Sequence, residues 1–251
     1  MRVIIEMDPP EHRGYRNVTS PVFTPRAMKA LDDLINTSAR ELVDKIIQDR
    51  RANPTGDLAS LLANGKINGE PMGPMETVGY YLITFSAGHD TTKNALVGGM
   101  RAFLDNPDQF KKLKQEPELV ESAVEEIVRW TSPVNHMKRT LTEDYELRGQ
   151  KMSAGDKLVM FYASANRDEE IFEDPFSFKI DRNPNRHLGF GIGEHFCLGA
   201  NLARRSQQAL WRELTRRMDW AELAGEPEQI HSAFVLGLKK LPIRYRIKPA
   251  A

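Results

Sequence analysis

Ten residues near the C-terminus, Phe190-Gly191-Ile192-Gly193-Glu194-His195-Phe196-Cys197-Leu198-Gly199, constrain the chain more than any other stretch. Two glycines two residues apart let the backbone turn tightly and approach a flat ligand closely. The one cysteine of the chain follows them, and the spacing predicts a last long helix starting near Cys197. Free N–H groups and the dipole at such a helix start favour a thiolate, a strong soft ligand suited to iron. The decapeptide closes a longer stretch, Asp174 to Gly199, rich in Pro and Gly and poor in periodicity. Ordered loops of that length inside compact domains are usually functional.

Other chemistries compete for the same cysteine. A single cysteine is most often a small buried hydrophobe. A zinc site takes about four ligands, and His187, His195 and Cys197 supply at most three. A cysteine hydrolase needs a histidine base across the site, and nothing in the sequence marks one. The pattern G-x-G-x-x-F-C also departs from the dinucleotide fingerprint G-x-G-x-x-G.

The rest of the chain reads as mainly α with a small β component. Met28, Leu31, Ile35, Leu42, Val43, Ile46 and Ile47 recur at mostly helical spacing after Thr24-Pro25, an N-cap followed by proline at the first helical position. Only Leu58 to Ala63 looks helical within Asn53–Gly73. A long apolar helix is predicted from Met75 to about Leu104, stopped by Asn106-Pro107, and a second from Glu116 to Trp130 with Leu119, Ala123, Ile127 and Trp130 on one face. Tyr145 to Tyr162 reads as strands with turns at Arg148-Gly149 and Ala154-Gly155-Asp156, Val159 to Tyr162 having the composition of a buried strand. In the last helix Leu198, Leu202, Leu210, Leu214 and Met218 are expected to face inward, and Ile243, Tyr245 and Ile247 to alternate along a terminal strand.

Composition narrows the partners. Apolar residues make up 40% and charged ones 28%, with Lys plus Arg and Asp plus Glu at 35 each, so no global charge draws the chain to nucleic acid or an anionic membrane. The most apolar stretch, Val78 to Ala87, breaks at His89, Asp90 and Lys93 and is too short and charged to span a bilayer. A single cysteine and no basic-then-apolar leader point to a reducing, cytoplasmic location.

Phe190 to Gly199 resembles the cysteine-loop signature of the cytochrome P-450 family, F-x-x-G-x-x-x-C-x-G, at every fixed position. Further segments match in family order. Glu126-Ile127-Val128-Arg129 is similar to the family's E-x-x-R, and Arg182 resembles the third member of its buried Glu–Arg–Arg network. Ala87-Gly88-His89-Asp90-Thr91-Thr92 looks like the oxygen-activation motif A-G-x-D/E-T. Asp8-Pro9-Pro10-Glu11-His12 with Arg16 resembles D-P-P-x-H-x-x-x-R. Each segment alone has a plainer reading: an exposed helix ion pair, a threonine bonding the carbonyl one turn back, or solvated surface residues.

The resemblance implies a single heme-binding domain over residues 1–251, with heme b (iron protoporphyrin IX) ligated by Cys197 and O2 as co-substrate. It implies that Ala87, Gly88, Phe190, Gly191 and Gly199 lie against the cofactor, and that His12, Arg16, Arg139 and His195 face its propionates. Thr91 and Asp90 are implied in handling oxygen and protons, with Val134, Asn135, His136, Met137, Phe234 and Val235 lining a substrate pocket. The implied reaction is monooxygenation of a hydrophobic small molecule (steroid, terpenoid or alkyl chain), with electrons passing from NAD(P)H through a ferredoxin-type partner. The fold implied is partial: D-P-P begins at Asp8, where family members carry a substantial preceding region, and a second gap near Lys45 to Arg51 falls where the family places its lid helices. Three readings follow: a monooxygenase, a heme-binding remnant without turnover, and a non-heme thiol enzyme using Cys197.

Overall fold

The computed structural model describes Glu41 and residues 44–249. The Asp8–Arg16 segment and the helix expected after Thr24-Pro25, up to Val43, lie outside the described residues apart from Glu41. The chain divides into two compact units, Met1–Thr84 and Phe85–Ala251, with the division inside one long helix.

In the first unit, helical residues 44–52 precede α1 (Leu58–Ala63), the hairpin β1 (Lys66–Ile67) and β2 (Glu70–Pro71), and the start of α2 (Pro74–Asp105). Asp57 caps α1 by accepting the Ser60 N–H at 2.7 Å. Ile47, Leu62, Ala63 and Tyr81 form a small core, and the Tyr81 hydroxyl donates to the Ala59 carbonyl at 2.6 Å.

The second unit begins in α2 and continues through α3 (Pro107–Gln115), α4 (Val120–Thr131), the short α5 (Tyr162–Ala165) and α6 (Ala200–Arg217). Asn106-Pro107 ends α2 as expected, since proline lacks the N–H that would continue the ladder and sits instead at the start of α3. Pro117–Leu119 forms a 3₁₀ turn ahead of α4, so the second predicted helix starts a turn later than its periodicity suggested. Ala95, Ala102, Phe103, Leu113, Val120, Ala123, Val124, Ile127 and Trp211 make the core, with Phe178 and Ile180 of the long loop. Phe103 is its hub, its ring centroid 4.9–5.4 Å from those of Phe110, Phe178 and Trp211. Gly98 and Gly99 let α2 approach closely: a Cβ at Gly99 would stand 2.9 Å from both Ile127 Cγ2 and Trp211 Cζ2.

The strands form two-stranded antiparallel sheets. β3 (His136–Thr140) pairs with β6 (Lys157–Phe161), placing His136 opposite Phe161 and Thr140 opposite Lys157. β4 (Tyr145–Leu147) and β5 (Gln150–Met152) form a hairpin across Arg148-Gly149, both at positive φ, as a two-residue turn of the required twist demands. β7 (Met218–Leu223) pairs with the terminal β10 (Ile243–Ile247), and β8 (Glu228–Gln229) with β9 (Leu238–Lys240).

Two burial expectations are corrected. β6 is not a buried strand: with one partner and one covered face, Leu158 and Met160 are half-buried while Val159 and Phe161 are exposed. In α6 the buried positions are Ala200, Gln207 and Trp211, while Leu202 and Leu210, and Leu198 ahead of the helix, are exposed; Leu214 packs on the core and Met218 is buried, as expected. That helix turns its Ala200–Gln207–Trp211 stripe inward, and this rotation leaves Leu202 and Leu210 exposed.

Candidate functional site

The approach to the cysteine loop is tied down by one buried carboxylate. Glu126 and Arg129, one turn apart on α4, are both fully buried and joined by two hydrogen bonds of 2.7 Å. A guanidinium carries five N–H donors, and Arg129 commits all five: its other three reach the carbonyls of Asn166 and Pro175 at 2.8 Å and Ser177 at 3.0 Å. Glu126 also accepts from Arg182 Nε and Asn185 Nδ2 at 3.1 Å each, and from the Lys179 N–H at 2.9 Å. Arg182 continues to the carbonyls of Glu173, Asp174 and Ser177. A buried ion pair contributes little net stability once dehydration is counted. A buried network in which Arg129 commits every donor instead favours one backbone course, here that of residues 173–185.

A second group sits beside it. Glu125 accepts from Arg204 Nε at 2.6 Å and Nη2 at 2.9 Å, and from His187 Nε2 at 3.0 Å. His187 Nδ1 accepts the Gly189 N–H at 3.1 Å, so the hydrogen-bond pattern assigns the ring proton to Nε2. Burial works against ionisation of Glu125, but the bonds from His187 and Arg204 outweigh it and hold the carboxyl at about 2. The Glu125 hydrogen bond raises Arg204 above its ordinary value against the opposing effect of burial, with a smaller contribution from Cys197. The Arg204 guanidinium also lies 4.4 Å from the centre of the Phe190 ring.

The loop is shaped by Gly191 and Gly193, at φ of +71° and +73°, which only glycine adopts without strain. A 3₁₀ turn, Gly193–His195, precedes the cysteine, and the Cys197 N–H donates back to the Phe190 carbonyl at 2.9 Å. α6 begins at Ala200 with Gly199 as its N-cap, so Cys197 stands two residues ahead of the cap. Cys197 is exposed, as are its neighbours Ile192 (76%), Phe196 (49%), Leu198 (87%) and Leu202 (71%). Exposed His195 is in the 3₁₀ turn. Arg139 lines a cleft of about 400 Å³ with Met160, Phe161, Tyr162, Leu188, Gly191 and Ile192.

On α2, Ala87, Gly88 and Asp90 are exposed and Thr91 half-buried. The Thr91 hydroxyl donates to the Ala87 carbonyl at 2.7 Å, leaving its oxygen lone pairs to accept. Asp90 pairs with Lys93 at 2.7 Å, whose hydrogen bond is the main cause of its lowered pKa, and lies 3.2 Å from His89 Nδ1. Val134 bridges Val235, and Asn135 donates its backbone N–H to Phe234 and its side-chain amide to Ala233, both at 2.9 Å. The His136 ring lies 5.6 Å from that of Phe161 and 5.7 Å from that of Phe234. The structure thus brings Val134, Asn135 and His136 to Phe234 and Val235; Met137, next on β3, faces Met160. His12 and Arg16 lie outside the described residues.

Sequence reasoning missed Glu125, Arg204 and Asn166. Glu125 is masked by its neighbour Glu126, and Arg204 by the other arginines of α6. Asn166, fully buried, donates to Ser132 Oγ at 2.9 Å and accepts the Leu188 N–H at 2.6 Å.

The donor set decides what metal chemistry fits. Among the described residues, no group of three or more His, Cys, Asp or Glu is placed to hold a metal ion. Among the described residues Cys197 thus has no companion ligands, which suits a metal that arrives in a chelate of its own. Exposed Ile192, Phe196 and Leu198 on the same loop as the thiol, with exposed Leu202 in the first turn of α6, suit a flat apolar chelate, and the guanidinium of Arg139 suits a carboxylate on it. These residues fit heme.

Fold and site together define the class: a mainly helical chain with one exposed thiol on a glycine-turned loop ahead of a long helix. Residues 57–247 match the family model "Cytochrome P450", and the chain belongs to that family. The family uses heme with O2. The chain is 46% identical over 202 residues to the methyl-branched lipid omega-hydroxylase of Mycobacterium tuberculosis, covering 80% of this chain and 47% of that protein. It is 40% identical to the steroid C26-monooxygenase of Mycolicibacterium smegmatis over 85% of this chain and 54% of that one. Among solved structures, CYP109E1 from Bacillus megaterium in complex with corticosterone aligns with a TM-score of 0.81 at 34% identity, covering 97% of this chain and 67% of that one. The chain spans about half the length of the curated relatives it matches. Among the described residues no helix is long and apolar enough to cross a membrane.

Proposed function

We propose that this chain belongs to a heme-thiolate monooxygenase in which Cys197 ligates the iron. The observation that carries the reading is the exposed thiol on a glycine-turned loop whose approach is fixed by the Glu126–Arg129–Arg182 network. Bound heme supplies the activation of O2, the thiolate favouring O–O cleavage.

The chain's own residues have separable tasks. Gly191 and Gly193 let the loop lie flat against the cofactor, with Phe190 and Gly199 at its ends and Ala87 and Gly88 on the oxygen-binding side. Arg139 and His195 face the propionates, as His12 and Arg16 do by family resemblance. Thr91, whose hydroxyl already donates to Ala87, accepts a hydrogen bond at the oxygen site. Asp90, held as a carboxylate by Lys93, exchanges protons with solvent. Val134, Asn135, His136, Met137, Phe234 and Val235 line an apolar substrate pocket.

Relatives named for methyl-branched lipids, steroids and linalool support a hydrophobic substrate with an alkyl or terpenoid skeleton. Electrons come from a ferredoxin-type partner reduced by NAD(P)H, in the cytoplasm. The deciding experiment is the reduced, carbon monoxide spectrum of purified protein supplied with hemin. A Soret band at the thiolate position supports the reading. Heme uptake without it supports a remnant that binds heme but does not turn over, and no uptake refutes the cofactor assignment for this chain.

A further inference from the structure

One buried polar group has no part in the tasks above. Asn94, on α2 one turn beyond Thr91, is 2% exposed, and neither its Oδ1 nor its Nδ2 has a hydrogen-bond partner among the described residues. An interior amide with both ends unpaired is costly, and its surroundings indicate its use. A Cβ built on Gly237 would stand 2.8 Å from Asn94 Nδ2 and closer still to Oδ1 and Cγ. Glycine is therefore the one residue at 237 that lets the chain pass against this side chain without displacing it.

The segment so held carries Phe234 and Val235. Its other side is fastened to the segment before β3: Leu236 donates its N–H to the Pro133 carbonyl at 2.8 Å, Val235 bridges Val134, and the Phe234 carbonyl accepts from Asn135. Ile230 donates its N–H to the Gly237 carbonyl at 3.0 Å and closes the turn behind it. Residues 233–237 are thus held between residues 133–135 and Asn94, and Asn94 is a contact between them and the helix of the oxygen motif.

We propose that Asn94 and Gly237 form a positioning joint that sets how closely Phe234 and Val235 approach the oxygen motif, and so which substrate shapes reach it. Asn94 acts through Gly237 and is a positioning residue. The inference rests on Phe234 and Val235 lining the substrate pocket.

The test uses Gly237→Ala, Asn94→Ala and the double variant. Ferric, heme-loaded protein is titrated with imidazole and with 4-phenylimidazole, whose phenyl ring must fit the pocket while imidazole alone needs only the iron. Overpacking at the joint is expected to weaken 4-phenylimidazole relative to imidazole by about tenfold in Gly237→Ala. Removing the amide as well vacates the space, so the double variant should return to within about twofold of the unmutated ratio. An unchanged ratio in Gly237→Ala, or a double variant no better than Gly237→Ala, overturns the joint.

Urea unfolding of the same proteins needs no heme. Asn94→Ala is expected to recover stability lost in Gly237→Ala, and additive losses overturn the contact. A chain that binds neither imidazole nor heme counts against the cofactor assignment, and the unfolding cycle still decides the joint.

Discussion

Arg129 shows how one side chain can specify a loop. Lysine has three donors where Arg129 uses five, and the acceptors it abandons lie on Glu126 and on carbonyls 37 to 48 residues away. Arg129→Lys keeps the charge but leaves buried acceptors unmet, and should therefore cost about 1–3 kcal/mol or more, read from urea unfolding; a loss well below about 1 kcal/mol would contradict the network's role. Cys197→Ala should abolish the thiolate-type carbon monoxide spectrum, and an unchanged band would remove this residue from the ligand position. If the holoprotein turns over, Thr91→Ala should send electrons to peroxide instead of product, measured as peroxide formed per NAD(P)H consumed. Unaltered coupling would show that the Thr91 hydroxyl serves only the Ala87 carbonyl.

At the scale of elements, α4 joins the core to the cysteine loop. Its Glu125 side holds Arg204 of α6 and His187 of the loop, and its carboxyl is about 2 in the fold against an ordinary 4.5. The folded value is the lower one, so this group contributes stability in full above about 4.5 and loses it as pH falls through about 2. Glu125→Gln should flatten this part of the acid-unfolding profile; an unaltered profile would assign acid sensitivity to other carboxylates. The crossing of α2 with α4 and α6 depends on missing side chains. Gly99→Ala would press a methyl against Ile127 and Trp211, and overpacking of that kind costs about 1–3 kcal/mol. A smaller shift in the unfolding midpoint would mean that α2 can move away without loss.

At the scale of the whole molecule, exposed Ile192, Phe196 and Leu198 flank the only cysteine along its loop, and exposed Leu202 follows in the first turn of α6. Apolar side chains grouped this way mark a surface that is covered in the working protein. A ligand that binds only the folded state adds about 2.7 kcal/mol at one hundred times its Kd. Hemin should accordingly raise the thermal midpoint, and Cys197→Ala should remove most of that rise. An equal rise in Cys197→Ala would locate hemin elsewhere on the surface.

The sequence by itself determined the elements whose cause is local. Leu58–Ala63, the Asn106-Pro107 break and the Arg148-Gly149 turn follow from neighbouring residues alone, and the cysteine loop is legible because its glycines and thiol are contiguous. Glu126 and Arg129 were visible as a pair because one helical turn separates them. Tertiary structure decided whatever depends on which face of an element meets another. Leu202 and Leu210 have the spacing of core residues, yet the rotation of α6 gives that place to Gln207 and Trp211. Tertiary structure alone brought Asn94 against Gly237 and Val134 against Val235. Periodicity records that a helix has a buried side, whereas the neighbour that buries it is fixed by packing between residues about a hundred or more positions apart.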